Sequence, residues 1–247
     1  MKSIILVIVL SIFCFADEEG SEDFTQDFDS EFTNKKIEIY DPLSGYNRVI
    51  TTFNDKVYLN VLNPVARGYA YVVPETARIG VNNFFDNIMF PVRFTNNILQ
   101  LKFQNSAEEL GRFVVNTIWG IAGFMDVAQS ELGLKAHKED FGQTLGFYGV
   151  GDGIYIVIPL LGPSNIRDII GMSTDSYVSV LSTTGSSDLH YKIPNNQLEE
   201  ITIEVYDVVN TVSLNEGKYE AFKKDALDFY PYLRDVYTQA RKKQIEE

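Results

Sequence analysis

Apolar residues recur along this chain at helical spacing. Tyr46, Val49, Ile50, Phe53, Val57 and Val61 share one face of a predicted helix. Asp41-Pro42 opens it, the Asp as a cap and the Pro at a first helical position, and Asn63-Pro64 breaks it. Pro74-Glu75 starts a second helix with Ala77, Val81, Phe84, Phe85 and Ile88 on one side. Pro91 kinks or restarts it, and Phe94, Ile98 and Leu101 continue the pattern. Ser106-Ala107-Glu108-Glu109 reads as a capping box, opening a helix through Leu110, Phe113, Val114, Thr117 and Ile118 that meets Gly120. Asp140 caps a short helix through Phe141, Leu145 and Tyr148.

The pattern then changes. Residues 154–158, IYIVI, are β-rich with no partner strand in view, so they predict a short extended segment. Leu161-Gly162-Pro163 turns the chain and Ser164 caps a helix through Ile166, Ile169 and Ile170. Residues 183–196 read as a loop. Leu198, Ile201, Val205, Val208 and Val212 form another helical face. A long last helix runs from about Tyr219 to Lys243, kinked at Pro231. No repeat or domain linker interrupts residues 41–243, so the expectation is one mainly α domain.

Residues 1–16 read as a signal peptide: Lys2, an apolar run from Ile4 to Phe13, and small residues suited to cleavage before Asp17. Cys14 is the only cysteine, and the bulky Phe13 before it makes a poor lipidation site. From Asp17 to Phe32 the chain carries eight acids and no base, so residues 17–40 are expected to be an acidic disordered tail. The formal charge of −13 argues against a nucleic-acid partner, since phosphate binding needs clustered cations.

Little in the sequence suggests catalysis. His137 and His190 lack metal-ligand spacing, no P-loop or nucleophile elbow occurs, and no pair of acids stands out as apolar-flanked on one helix face. Gly142, Gly146, Gly149, Gly151 and Gly153 contain part of a dinucleotide fingerprint, but helix precedes them and strand follows, the reverse of the order needed. Phe113 to Met125 is nearly uncharged, with Asn116 and Thr117 its only polar side chains. It is too short and too glycine-broken to span a bilayer, so it is a hairpin either buried in the core or dipped into lipid; composition alone favours the core.

Several stretches together resemble the MlaA (VacJ) family of Gram-negative outer membranes. They begin with Asp41-Pro42-Leu43, Gly45-Tyr46-Asn47-Arg48, Phe53-Asn54, Val73-Pro74, Ala77-Arg78 and Asn82-Asn83-Phe84. Arg112-Phe113, Asn116-Thr117-Ile118, Gly120, Gly123-Phe124 and Asp126-Val127-Ala128 follow. So do Phe141-Gly142, Thr144-Leu145-Gly146, Tyr148-Gly149-Val150-Gly151, Gly153, Arg167-Asp168 and, near the end, Asp228, Tyr230, Arg234 and Tyr237. The chain departs from the family at the Phe13-Cys14 site and at Phe229, where a proline is usual.

The resemblance implies a helical, ring-like protein on the periplasmic side of the outer membrane, with an amphipathic channel. It implies passive removal of stray phospholipids from the outer leaflet to a soluble periplasmic lipid carrier, association with an outer-membrane porin trimer, and no cofactor, metal or catalysis. The alternatives are a structural porin-associated protein without transport and a lipid-acting enzyme. Lipid passage then falls to the hairpin and glycine cluster: Gly120, Gly123, Phe124, Asp126, Gly146, Gly149, Gly151 and Gly153. Arg48, Arg78, Arg112 and Arg167 are candidates for a head-group phosphate, or for internal ion pairs. Phe84, Phe85, Phe90, Phe94 and Trp119 are candidates to face the membrane, though each alone also suits a core.

Overall fold

The computed structural model describes residues 41–185, 191–224 and 226–247. The expected signal peptide, the acidic tail and His190 lie outside them. Helix α1 (Ser44–Val57) runs through a π-helical turn (Tyr58–Leu62) directly into α2 (Asn63–Val72). Pro64 therefore does not break the helix. It sits in the first turn of α2, and the wide turn before it absorbs the missing N–H. Asp41 is not the cap expected of it; its carboxylate accepts hydrogen bonds from Asn47, Tyr230 and Arg234.

Next come α3 (Glu75–Ile88) and α4 (Phe90–Leu99), separated at Met89 as Pro91 requires, and α5 (Phe103–Ile118). The capping box at Ser106 is not used. Ser106 and Glu109 lie inside α5, buried, with Ser106 donating to the Phe94 carbonyl. α6 (Val127–Leu132) is capped by Asp126. Asp140 caps α7 (Phe141–Phe147) as expected, through a reciprocal capping box with Gln143.

The IYIVI segment does find a partner. β1 (Tyr155–Ile158) pairs antiparallel with β2 (Gly162–Asn165), Tyr155 opposite Asn165 and Ile158 opposite Gly162. Residues 162–165 are thus strand rather than turn, and Asn165, not Ser164, caps α8 (Ile166–Val178). Side-chain amides of α1 occupy the open edge of β1: Asn47 bonds Tyr155 O and Val157 N, and Asn54 bonds Ile158 O and Leu160 N. α9 (Gln197–Leu214) and α10 (Lys218–Lys224) precede α11 (Phe229–Glu246). The predicted last helix is therefore two, and Pro231, in the first turn of α11, kinks nothing.

The packing closes on itself. α2 packs on α9, α9 on α3, α3 on α4, α4 on α7, α7 on α11, and α11 returns to α1. Conventional apolar cores occur at two points of this circuit: Tyr58, Ala66, Val208, Val209, Val212 and Tyr219, and around the hairpin Tyr155, Val157, Tyr230 and Tyr237. Elsewhere the usual arrangement is reversed. α5 turns Ser106, Glu109, Arg112 and Asn116 inward, while Phe103, Leu110, Val114 and Ile118 are exposed. α4 buries Arg93, Asn96 and Asn97 and exposes Ile98 and Leu99. α1 buries Asn47 and Thr51 and exposes Tyr46, Val49 and Phe53. The apolar periodicity was real, but on these helices it marks the outer surface.

Candidate functional site

The densest meeting of outer apolar and inner polar residues is the turn between α5 and α6. α5 ends at Ile118, and the chain then passes through three consecutive left-handed residues, Ile121, Ala122 and Gly123, at φ of 54°, 57° and 96°. A β-branched residue at positive φ is strained, by about 1–3 kcal/mol, and persists only where surroundings impose it. They do: Gly123 N donates to Asn116 O at 2.9 Å, Ala122 N to Thr117 O at 3.0 Å and Met125 N to Gly120 O at 2.8 Å. Gly123 itself admits no side chain, since a Cβ would stand 2.6 Å from Asn87. At Gly120 a Cβ would collide with the carbonyls of Met125 and Asn116.

This forced turn pushes its apolar side chains outward. Ile118, Trp119, Ile121, Phe124 and Met125 are all exposed, Trp119 by 64%. Beneath them lies a polar cage. Arg112 Nη2 donates to Asp126 Oδ2 at 2.7 Å, and Asn116 Nδ2 to Asp126 Oδ1 at 2.9 Å. Burial works against the Asp126 carboxylate, but Arg112 and Asn116 outweigh it and hold the group below its usual range. One turn away Arg93 Nε pairs with the fully buried Glu109 at 2.7 Å. Arg93, Arg112, Asn116 and Asp126, with Asn83, Asp86, Asn87 and Ala136, line a small polar cavity of about 20 Å³, room for a single water.

The sequence candidates divide on the structure. Gly120, Gly123, Phe124 and Asp126 come together at this turn. The second glycine group lies apart from it, and its members differ. Gly146 seats α7 against Ile245 of α11, where a Cβ would stand 2.6 Å away. Gly149 and Gly153 have positive φ. Gly151 has open space around it and no positive φ, so neither crowding nor backbone angle demands glycine there.

All four arginines are engaged internally. Arg112 and Arg167 are buried, the first on Asp126 and the second on Asp152 and Asp168. Arg78 donates to the Val73 and Ser213 carbonyls. Arg48 pairs with Asp228 at 2.7 Å and is the one of the four that is well exposed. Among the aromatic candidates Trp119 is outward, whereas Phe85 is buried against Phe84 and Tyr206, which corrects its place in the outward set. Phe84, half-buried, stacks on Phe124, and Phe90 stacks between Phe94 and Phe113.

Two features escaped the sequence reading. Arg241 is buried and bridges Asp140 and Asp168, locking α11 to α7 and α8. Acids at Glu200 and Glu204 are buried on α9, while Leu198, Ile201 and Val205 of its predicted apolar face are exposed. Among the described residues, no group of three potential ligands is arranged to hold a metal ion, and no helix is long and apolar enough to cross a membrane.

A closed circuit of helices with apolar side chains outward and ion pairs inward defines a class: a helical, ring-like fold with its apolar side chains on the outside. The chain matches the MlaA lipoprotein family over residues 39–244, and it belongs to that family. It is 31% identical over 245 residues to an uncharacterized protein of Rickettsia bellii, covering 98% of this chain and 92% of that one. It is 38% identical over 145 residues to the intermembrane phospholipid transport system lipoprotein MlaA of Escherichia coli K12, covering 58% of each. A solved structure, described as the structural basis for maintenance of bacterial outer membrane lipid asymmetry, superposes with a TM-score of 0.69 at 28% identity. The match covers 83% of this chain and 99% of that one.

Proposed function

We propose that this chain sits on the periplasmic side of the outer membrane, removes stray phospholipids from the outer leaflet, and passes them to a soluble periplasmic lipid carrier. Family membership and the name of the Escherichia coli relative, an intermembrane phospholipid transport system lipoprotein, support phospholipid transport. The observation that carries the reading is the reversed packing of α1, α4 and α5. A phospholipid has apolar tails and a charged head, so its path needs an apolar wall beside a polar one. The turn at residues 118–126 sets the two side by side. Gly120, Gly123, Phe124 and Asp126 are its control point, while the glycines at 146–153 lie apart from it. The transfer is passive: no bond is made or broken. A trimeric porin is the proposed outer-membrane partner, docked on part of the apolar rim.

In a Gram-negative strain lacking its own family member, expression of this chain is expected to lower outer-leaflet phospholipid. An unchanged level, with the chain present in the outer membrane, overturns the proposal. We further propose that the mature chain starts at Asp17 without lipid on Cys14, because Phe13 is bulky. Intact-mass analysis of envelope protein tests this, and a diacylglycerol adduct on Cys14 refutes it.

A further inference from the structure

α9 carries acids on its inner side. Glu200, Glu204 and Asp207 are spaced four and three residues apart, which aligns them on one face, and Thr211 continues the row a turn later. Glu200, Glu204 and Thr211 are buried, at 2%, 8% and 6% exposure. Glu200 accepts a hydrogen bond from the Thr183 hydroxyl. Glu204 and Asp207 have no hydrogen-bonding or ion-pair partner among the described residues.

An independent sign of an unfilled site is Thr211. Its Oγ1 is buried and makes no hydrogen bond, on the same face of the helix. A native fold rarely leaves such groups without partners, since each costs about 1–3 kcal/mol.

The charged groups around the row do not neutralise it. Burial, with the charges of Glu200 and Asp207 adding to it, pushes Glu204 up to about 8. Burial and then Asp86 of α3 push Asp207 up to about 7. Asp86 has its own cation, Lys138, at 3.8 Å. Lys192 is near Glu200, but its ammonium donates to the Ser176, Tyr177 and Ser179 carbonyls at the end of α8. The carboxylates are strung along two helical turns and converge on no point, which is wrong for a metal. They suit a small cation that moves along them.

We propose that the row Glu200–Glu204–Asp207, with Thr211, receives the primary ammonium of an ethanolamine phospholipid head group as the lipid passes. This rests on the phospholipid-transport reading above. An ammonium carries three donors, and neighbouring acids on one helix face are about 5–6 Å apart. The head group can thus be handed from one carboxylate to the next without losing its partner. A glycerol head group has no cation to offer the row. The chain therefore favours ethanolamine over glycerol phospholipids.

The test uses the full-length chain in detergent, incubated with mixed micelles of equal dioleoyl phosphatidylethanolamine and phosphatidylglycerol. The retained lipids are measured by mass spectrometry. Wild type is expected to retain the ethanolamine lipid in excess by about tenfold, the scale of one charge-assisted hydrogen bond. Glu204→Gln is expected to reduce that preference, and Glu204→Gln with Asp207→Asn to bring it near unity. Both changes keep shape and add no charge, so the variants remain folded, which a melting curve checks. The exposed Glu131→Gln keeps the wild-type ratio.

An equal preference in wild type and the double variant overturns the ammonium site while leaving transport intact. Retention of neither lipid by wild type overturns the transport reading and the site together. Binding of free ethanolamine phosphate without any lipid preference identifies a soluble-amine site and overturns the lipid assignment.

Discussion

Gly123 shows how one residue sets the geometry of the turn at 118–126. Its φ of 96° and the Asn87 side chain 2.6 Å from a would-be Cβ leave no room for another residue. Gly123→Val is expected to cost about 1–3 kcal/mol and to lower lipid clearance, read as outer-leaflet phospholipid at matched protein level. Gly151→Val, in open space, is expected to leave both unchanged. A normal Gly123→Val or a defective Gly151→Val contradicts the placement. The sequence marked both glycines alike, because composition reports neither φ nor the neighbour across the turn. Asp126 and Arg112 were legible as residues but not as a pair, since their meeting depends on the left-handed run between them. The acid at Glu204 carries a pH signature. The folded state keeps a proton that the unfolded chain releases above its ordinary value of 4.5, so stability falls as pH rises from about 4.5 to about 8. Glu204→Gln is expected to melt above wild type at pH 8 and close to it at pH 5. An advantage independent of pH contradicts the assignment.

At the level of elements, the helices were readable and their orientation was not. Pro74, Pro91 and Asp140 placed three starts correctly, because proline geometry and capping are local. Pro64 and Pro231 misled because each sits in a first turn, where no N–H is needed. The β2 strand, GPSN, has no β-rich composition and exists because β1, α8 and α11 supply its surroundings. α5 was read as a helix through Leu110, Val114 and Ile118, with residues 113–125 either in the core or dipped into lipid and composition favouring the core. In the fold the same stripe points out and Glu109, Arg112 and Asn116 point in. Val114→Arg with Ile118→Arg is therefore expected to change stability in detergent by no more than about 0.5 kcal/mol each. The same pair is expected to release the protein from membranes under a carbonate wash, since charge in the bilayer centre costs about 2.5–3.5 kcal/mol per residue. Unfolding in detergent, or full membrane retention, contradicts the outward assignment.

Across the whole molecule, the fold is a circuit whose closure depends on distant ionic contacts. Arg241 on Asp140 and Asp168, Arg234 on Asp41, and the Tyr237 hydroxyl on Asp168 hold α11 between α1, α7 and α8. That closure was invisible to periodicity, which sees one helix at a time; only the family resemblance suggested a ring. The buried acids of α9 and the strained turn at 121–123 are features a fold optimised for stability alone would lack. Everything proposed for this chain depends on its apolar rim lying in lipid. Trp119 is the only tryptophan and stands exposed on that rim, so its fluorescence reports the rim directly. The full-length protein is reconstituted into phospholipid vesicles with and without brominated acyl chains. Strong quenching of Trp119 by the brominated chains, with a blue-shifted maximum, is predicted; emission that is the same in both vesicles and red-shifted as in water would contradict a lipid-embedded rim.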